Sequence, residues 1–189
     1  MFYPKGEVVA AREAGKAGIG YTLSTLSGCL LEDVRAATNG PAWYQLYLLG
    51  GKEVALKTIA RAKKAGFSAI VVTIDTPVSG LRERDMRSGT QQLLSMNPFE
   101  MLPYIPQILV KPCWMTQWLS DGGLMSFPNV QLDDGPMGYT AIGPALEKSV
   151  VTWEDLEWIR GAWGGKIIVK GIHIGADAKK AAELGADAI

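Results

Sequence analysis

Four apolar runs in this chain end in groups that a buried strand has no structural need for. They are Tyr21-Thr22-Leu23-Ser24, Trp43-Tyr44-Gln45-Leu46-Tyr47, Ala69 through Thr73 to Asp75, and Ile167-Ile168-Val169-Lys170. In a strand, alternate side chains face the same way. Thr22 and Ser24 therefore share a face, as do Gln45 and Tyr47, Thr73 and Asp75, and Ile168 and Lys170. Together they offer hydroxyls, a carboxamide, a carboxylate and an ammonium, a set suited to a polar, electron-rich ligand. Each residue also has a plainer reading. Lys170 in an inward row needs an anionic partner, so it either pairs with Asp75 or holds the edge of a cofactor. Arg82 lies just past the third run. Its planar guanidinium can take a carboxylate through two parallel hydrogen bonds, or pair at the surface with Glu83 or Asp85. Asp75 can orient a histidine or simply offset a cation. Tyr47 can be core filler, provided its hydroxyl finds a partner. The only histidine, His173, falls in the loop after Lys170, where a bland role is the usual one, so these residues identify no general base.

Those runs are positioned by a repeating unit. AREAGKAGIGYTLS, ARAKKAGFSAIVVTID and AKKAAELGADAI each read as an Ala-rich helix closed by a glycine (Gly18, Gly66, Gly185) and followed by a strand. Glycine suits the left-handed position that ends a helix. Helix-to-strand units in series imply parallel strands with helical crossovers. The spacing predicts helices over 6–17, 32–37, 53–65, 153–163 and 176–184, with strands over 20–24, 43–48, 69–75 and 167–171. Thr152 is expected to cap the helix at 153–163 by accepting from free amide N–H groups. A further strand begins at the C-terminus. Two architectures use such units. A doubly wound sheet would advertise a Gly-rich phosphate loop after its first strand, and none is present. Polar groups gathered at the C-terminal ends of strands favour the (β/α)8 TIM barrel, where those ends converge on one mouth. The α/β pattern covers about five of the eight barrel units, as one domain over 1–189. Both ends read as cut rather than finished.

Composition narrows the function further. Basic and acidic residues balance at 19 each, with pI near 6.6. There is no basic stripe, which sets nucleic acid aside. Cys29 and Cys113 are far apart and outside metal-ligand spacing, as expected for free thiols in a reducing compartment. The N-terminus lacks the pattern of a signal peptide, and no run is apolar enough to span a bilayer, so the expected location is cytoplasmic. The stretch 86–150 breaks the rhythm, with seven of the ten prolines. It reads as a long irregular connection after the strand ending at Asp75, either a linker or a lid over the barrel mouth. Within it, Trp114, Met115, Trp118 and Leu119 form a small apolar face. The barrel, a partner chain or a lipid surface could cover that face. Protein packing is favoured, and peripheral contact of the 100–125 loop with the inner face of the membrane is the alternative.

The residues resemble the FMN-dependent α-hydroxy-acid dehydrogenases and oxidases, the family of L-lactate dehydrogenase, mandelate dehydrogenase and glycolate oxidase. YPKGE at 3–7, YTLST at 21–25, WYQLY at 43–47, TIDTPVSGLRERDMRSG at 73–89, TWEDLEWIRGAWGGKIIVKGI at 152–172 and DAKKAAELGADAI at 177–189 carry the resemblance. PQILVKPCWMTQWLSDGG and FPNV resemble the lactate and mandelate dehydrogenase branch. The resemblance implies FMN as cofactor and oxidation of an L-2-hydroxy acid, with L-lactate favoured over mandelate or glycolate. It implies that Ser24, Gln45 and Thr73 hydrogen-bond the flavin ring and that Lys170 stands by N1 and the C2 carbonyl. Tyr47 and Arg82 would hold the substrate, and Asp75 would orient a catalytic histidine. It also implies a homotetramer. That histidine belongs to a Ser-Asn-His-Gly-Gly-Arg run expected beyond Ile189, and the first strand and the phosphate cradle likewise lie outside the 189 residues. These residues alone are therefore expected to bind FMN weakly or not at all and not to turn over, and their open sheet edges to favour aggregation. A non-catalytic remnant is the competing reading.

Overall fold

A computed structural model describes residues 3, 5–76, 83–89, 97–123 and 125–189. In chain order the elements are α1 (Gly6–Lys16), β1 (Tyr21–Leu23), α2 (Leu31–Ala36), β2 (Ala42–Leu46), α3 (Lys52–Ala65) and β3 (Ala69–Thr73). Then come α4 (Glu83–Arg87), α5 (Pro98–Met101), α6 (Ile105–Leu109) and α7 (Pro112–Ser120). A hairpin of β4 (Ser126–Leu132) and β5 (Gly135–Gly138) leads to α8 (Ile142–Glu147), α9 (Trp153–Trp163), β6 (Lys166–Lys170) and α10 (Gly175–Glu183). The chain divides into two compact units, one of Lys5–Val78 with Ser126–Ile189, the other of Met1–Pro4 with Ser79–Met125.

The first unit is built on a parallel sheet in the order β1-β2-β3-β6. Ile168 makes one further parallel bridge to Ala188. Each strand thus neighbours the next strand of the repeating units, with no reversal of order. A doubly wound sheet reverses at its switch point and a barrel does not. The sheet is an arc of a (β/α)8 barrel.

The helices form because their apolar positions recur at helical spacing. In α3, Ala55, Thr58, Ile59 and Ala62 are buried, while Lys57, Lys63 and Lys64 stay in solvent. At its end Gly66 adopts φ +86°. There the N–H groups of Gly66 and Phe67 donate to the carbonyls of Lys63 and Ala62, both at 3.1 Å. Gly18 and Gly185 also have positive φ, as their sequence positions imply. The helix layer covers one face of the sheet. Leu23, Tyr44, Ile70, Val72, Ile167 and Val169 from the strands pack with Val34, Ile59, Ile159 and Trp163 from the helices, all at most 4% exposed. The opposite face carries Thr22, Gln45, Thr73 and Lys170. The cap of α9 is the expected one, completed by a reciprocal contact. In a capping box the Thr152 side chain accepts from the backbone N–H of Asp155, while the Asp155 carboxylate accepts from the N–H of Thr152, at 2.8 Å, and from its hydroxyl, at 3.0 Å.

Among the described residues, the stretch expected to be irregular carries the short helices α5 to α8 and a hairpin. Its prolines mislead because Pro98, Pro106 and Pro112 sit in the first turns of α5, α6 and α7. There the missing N–H breaks no helical bond. The hairpin is pinned by Asn129, which is fully buried. Its Oδ1 accepts from Leu31 N at 2.9 Å and its Nδ2 donates to Cys29 O at 2.9 Å. The Thr58 hydroxyl donates to Asn129 O at 2.9 Å. Asn129→Ala would strand the Leu31 N–H and leave Cys29 O with the Ser27 hydroxyl, which donates to it at 3.1 Å. The expected loss is about 1–3 kcal/mol, read as a lower midpoint in urea with an unchanged slope.

Candidate active site: a polar row on one sheet face

Register aligns the polar strand ends. Gln45 pairs with Val71, and Thr73 with Lys170, so side chains of one parity from each strand meet on the uncovered face. Thr22, Ser24, Trp43, Gln45, Tyr47, Val71, Thr73, Ile168 and Lys170 line a cleft of about 800 Å³. The strands end earlier than the sequence spacing implies. β2 stops at Leu46 and β3 at Thr73, which leaves Tyr47 and Asp75 on the loops just beyond the strand ends, where a ligand can be approached from several directions.

Gln45 is the hub of the row and is 8% exposed. Its Oε1 accepts from Thr25 N at 3.2 Å and, more weakly, from the Ser24 hydroxyl at 3.4 Å. Its Nε2 donates to Thr73 Oγ1 at 2.9 Å, and Thr73 itself is fully buried. With Oε1 satisfied by two donors, the amide can present only N–H to the cleft. Ser24 Oγ in turn accepts from Leu26 N at 3.1 Å.

Lys170 and Asp75 form an ion pair, Nζ to Oδ2 at 2.5 Å. Their side chains are 52% and 32% exposed, so Lys170 is not desolvated as its place in a strand suggested, and an exposed pair of this kind adds little stability. The pairing depends on Gly171. At φ +106°, a Cβ there would come within 2.7 Å of Asp75 Cβ and 3.0 Å of Asp75 N. The bare backbone lets the β3 and β6 ends close on each other, and Ile74 N donates to Lys170 O at 2.9 Å.

The structure brings Ser24, Gln45, Tyr47, Thr73 and Lys170 into one lining, with Asp75 bound to Lys170. Arg82 lies outside the described residues. His173 is exposed and is not among the lining residues. Sequence reasoning missed three residues. Thr25 and Gly171 were inside the quoted motifs, but their roles are backbone contacts that residue type alone does not declare. Asn129 had a signal, a lone amide between apolar residues in Phe-Pro-Asn-Val.

The thiol of Cys29 lies outside the cleft lining. It donates to Glu7 Oε2 at 3.3 Å, and burial together with that carboxylate pushes its pKa up to about 11. Thiolate is the alkylated form, so at pH 8 its population is ~100-fold below that of an ordinary thiol. Iodoacetamide is expected to label the exposed Cys113 first, with Cys29 gaining about tenfold in rate per pH unit below its pKa. Equal labelling of both at pH 8 would contradict this.

Comparison with known proteins places this geometry. The profile of the FMN-dependent dehydrogenase family matches residues 1–189. The L-lactate dehydrogenase of Pseudomonas paraeruginosa (strain DSM 24068 / PA7) is 38% identical over 198 residues, covering 100% of this chain and 49% of the relative. That of Allorhizobium ampelinum (strain ATCC BAA-846 / DSM 112012 / S4) is 40% identical over 198 residues, covering 100% and 50%. The chain thus spans about half the length of the curated relatives it matches. Among solved structures, a mandelate oxidase aligns with TM-score 0.69 at 30% identity, over 100% of this chain and 44% of its own. A monotopic membrane protein, (S)-mandelate dehydrogenase, aligns with TM-score 0.77 at 29% identity, over 98% and 48%. With its whole length matched by the family profile and its sheet that of a (β/α)8 barrel, this chain belongs to the FMN-dependent dehydrogenase family.

Proposed function

We propose that these residues form the ring-facing wall of an FMN-dependent L-2-hydroxy-acid dehydrogenase that converts L-lactate to pyruvate. The observation that carries the reading is the convergence of Lys170, Gln45, Thr73 and Ser24 on one cleft. Their chemistry fits the group. An ammonium, an amide N–H and hydroxyls match the electron-rich pyrimidine edge of an isoalloxazine, while Val71 and Ile168 offer apolar surface to its rings. When bound, FMN accepts the two electrons removed at carbon 2 of the hydroxy acid. Lys170 would face N1 and the C2 carbonyl, offsetting the negative charge that gathers there. Ser24, Gln45 and Thr73 would hold the ring by hydrogen bonds. Tyr47 would contact the substrate carboxylate or hydroxyl, and Arg82 would take the carboxylate through two parallel bonds. Asp75 would neutralise Lys170, orient a histidine base and stabilise that histidine once it is protonated. His173 does not line the cleft, and no base is assigned among these residues.

Names of the curated relatives support lactate. Structures named for mandelate support a second substrate for the same oxidation. In flavin-loaded protein carrying these residues, anaerobic L-lactate is expected to bleach the flavin absorption while D-lactate does not. Faster bleaching by (S)-mandelate would favour the second substrate, and no bleaching by either would sink the reading.

The second compact unit bears on location. Phe99, Leu102, Leu109, Val110 and Leu119 are each more than 60% exposed, and Trp114 stacks on Trp118 with centroids 5.8 Å apart. Among the described residues no helix is long and apolar enough to cross a membrane. Within this reading, the segment 100–125 makes peripheral membrane contact, the lipid alternative for its apolar face, and a solved relative named as a monotopic membrane protein supports it. Co-sedimentation with anionic vesicles is expected, and its loss in a Leu109→Glu/Leu119→Glu variant checks the surface involved.

A further inference from the structure

Thr25 is 2% exposed, directly follows a proposed flavin ligand, and has no part in the chemistry assigned above. Its hydroxyl donates to Gln45 O at 2.5 Å and accepts from Tyr47 N at 3.1 Å. Its own N–H donates to Gln45 Oε1 at 3.2 Å. The β1–β2 ladder has already ended, with Leu23 paired to Tyr44. Beyond that pair, the described hydrogen bonds between the two segments run through the Thr25 backbone and hydroxyl and the Ser24 hydroxyl. The two β2-side residues on either side of Leu46 are Gln45 and Tyr47, both of which face the cleft.

We infer that Thr25 is a positioning residue that clamps Gln45 and Tyr47, fixing where the ring-binding amide and the substrate-facing phenol stand relative to each other. The inference rests on the flavin reading above. The clamp has two parts. The N–H of residue 25 decides which end of the Gln45 carboxamide faces inward. A flipped amide would set its NH2 against that N–H, donor on donor, so the cleft receives an N–H and never the carbonyl oxygen. The hydroxyl bridges an acceptor and a donor that the ladder leaves unpaired. A hydroxyl can do both at once, because it offers one O–H and two lone pairs. Valine has the shape of threonine and neither capability, whereas serine keeps both.

Thr25→Val and Thr25→Ser separate this role from simple packing. In 15N-labelled protein, the Tyr47 amide of Thr25→Val is expected to exchange with solvent ~10-fold or more faster than wild type, relative to the Ile70 amide at the centre of the sheet. Thr25→Ser is expected to stay near wild type despite losing a methyl group. A merely structural contribution would accelerate both amides together. In the second arm, FMN is titrated and flavin fluorescence followed, and Thr25→Val is expected to bind ~10-fold more weakly than wild type, with Thr25→Ser near wild type. Unchanged relative exchange at Tyr47 in Thr25→Val overturns the clamp. Wild-type FMN binding that Thr25→Val leaves intact overturns the positioning role and spares the flavin reading. A longer protein that carries these residues together with the rest of the barrel and takes up no flavin overturns the flavin reading, and the exchange arm still decides the clamp.

Discussion

Gly171→Ala is expected to lower the stability of this protein by about 2–5 kcal/mol, from a left-handed backbone penalty of ~1–2 kcal/mol and overpacking of ~1–3 kcal/mol. Two independent costs combine at this position. The backbone sits at φ +106°, which L side chains rarely adopt. The added Cβ would also lie 2.7 Å from Asp75 Cβ and 3.0 Å from Asp75 N. Neither obstacle is the far end of a flexible side chain, so relief requires the β3 and β6 ends to move apart. In a domain of this size the change corresponds to a melting temperature lower by roughly 5–15 °C. Gly175 is the internal control. It begins α10 with no positive φ, and a methyl added there would meet nothing within 4 Å, so Gly175→Ala is expected to be neutral. Equal melting temperatures for the two alanine variants would mean that the close approach at Gly171 is not needed.

Lys170→Met is expected to leave stability nearly unchanged and to weaken flavin binding by about 10–100-fold. The asymmetry follows from exposure. With its side chains 52% and 32% exposed, the Lys170–Asp75 pair contributes under ~1 kcal/mol to folding. Toward an electron-rich ring edge the same ammonium is the positive charge among the described lining residues, and its loss leaves the Asp75 carboxylate unopposed. A double-mutant cycle separates the two effects. Adding Asp75→Asn to Lys170→Met is expected to restore part of the affinity by removing that carboxylate. If Lys170→Met melts early and binds flavin as well as wild type, the lysine is a structural ion pair and nothing more.

The sequence made the architecture legible because its periodicities are strong. Ala-rich helices closed by Gly66 or Gly185 and followed by apolar strands leave few alternatives to parallel crossovers. The polar parity of Thr22, Gln45, Thr73 and Lys170 was enough to point to one face. Chain regularity stopped being informative in 86–150, where proline reads as a breaker. Pro98, Pro106 and Pro112 instead start helices, and position within a helix is not visible in composition. The hairpin was missed for a related reason. Ser126–Leu132 and Gly135–Gly138 are held by Asn129 reaching Leu31 and Cys29, nearly one hundred positions away in sequence. The site residues with ligand chemistry were legible and those that fix them were not. Thr25 and Gly171 act through backbone contact, which only the folded register creates.

The central claim is that the polar row between Ser24 and Lys170 is a flavin-facing surface. The most direct measurement is a 1H–15N chemical-shift map of the 189-residue protein, taken with FMN at concentrations that populate even a weak complex. The expected result is concentrated shifts at Ser24, the Gln45 side-chain amide, Thr73, Lys170 and Gly171, with the β4–β5 hairpin and the helix layer unmoved. Shifts confined to the hairpin or the helices, with the cleft row silent at saturating FMN, would contradict the account.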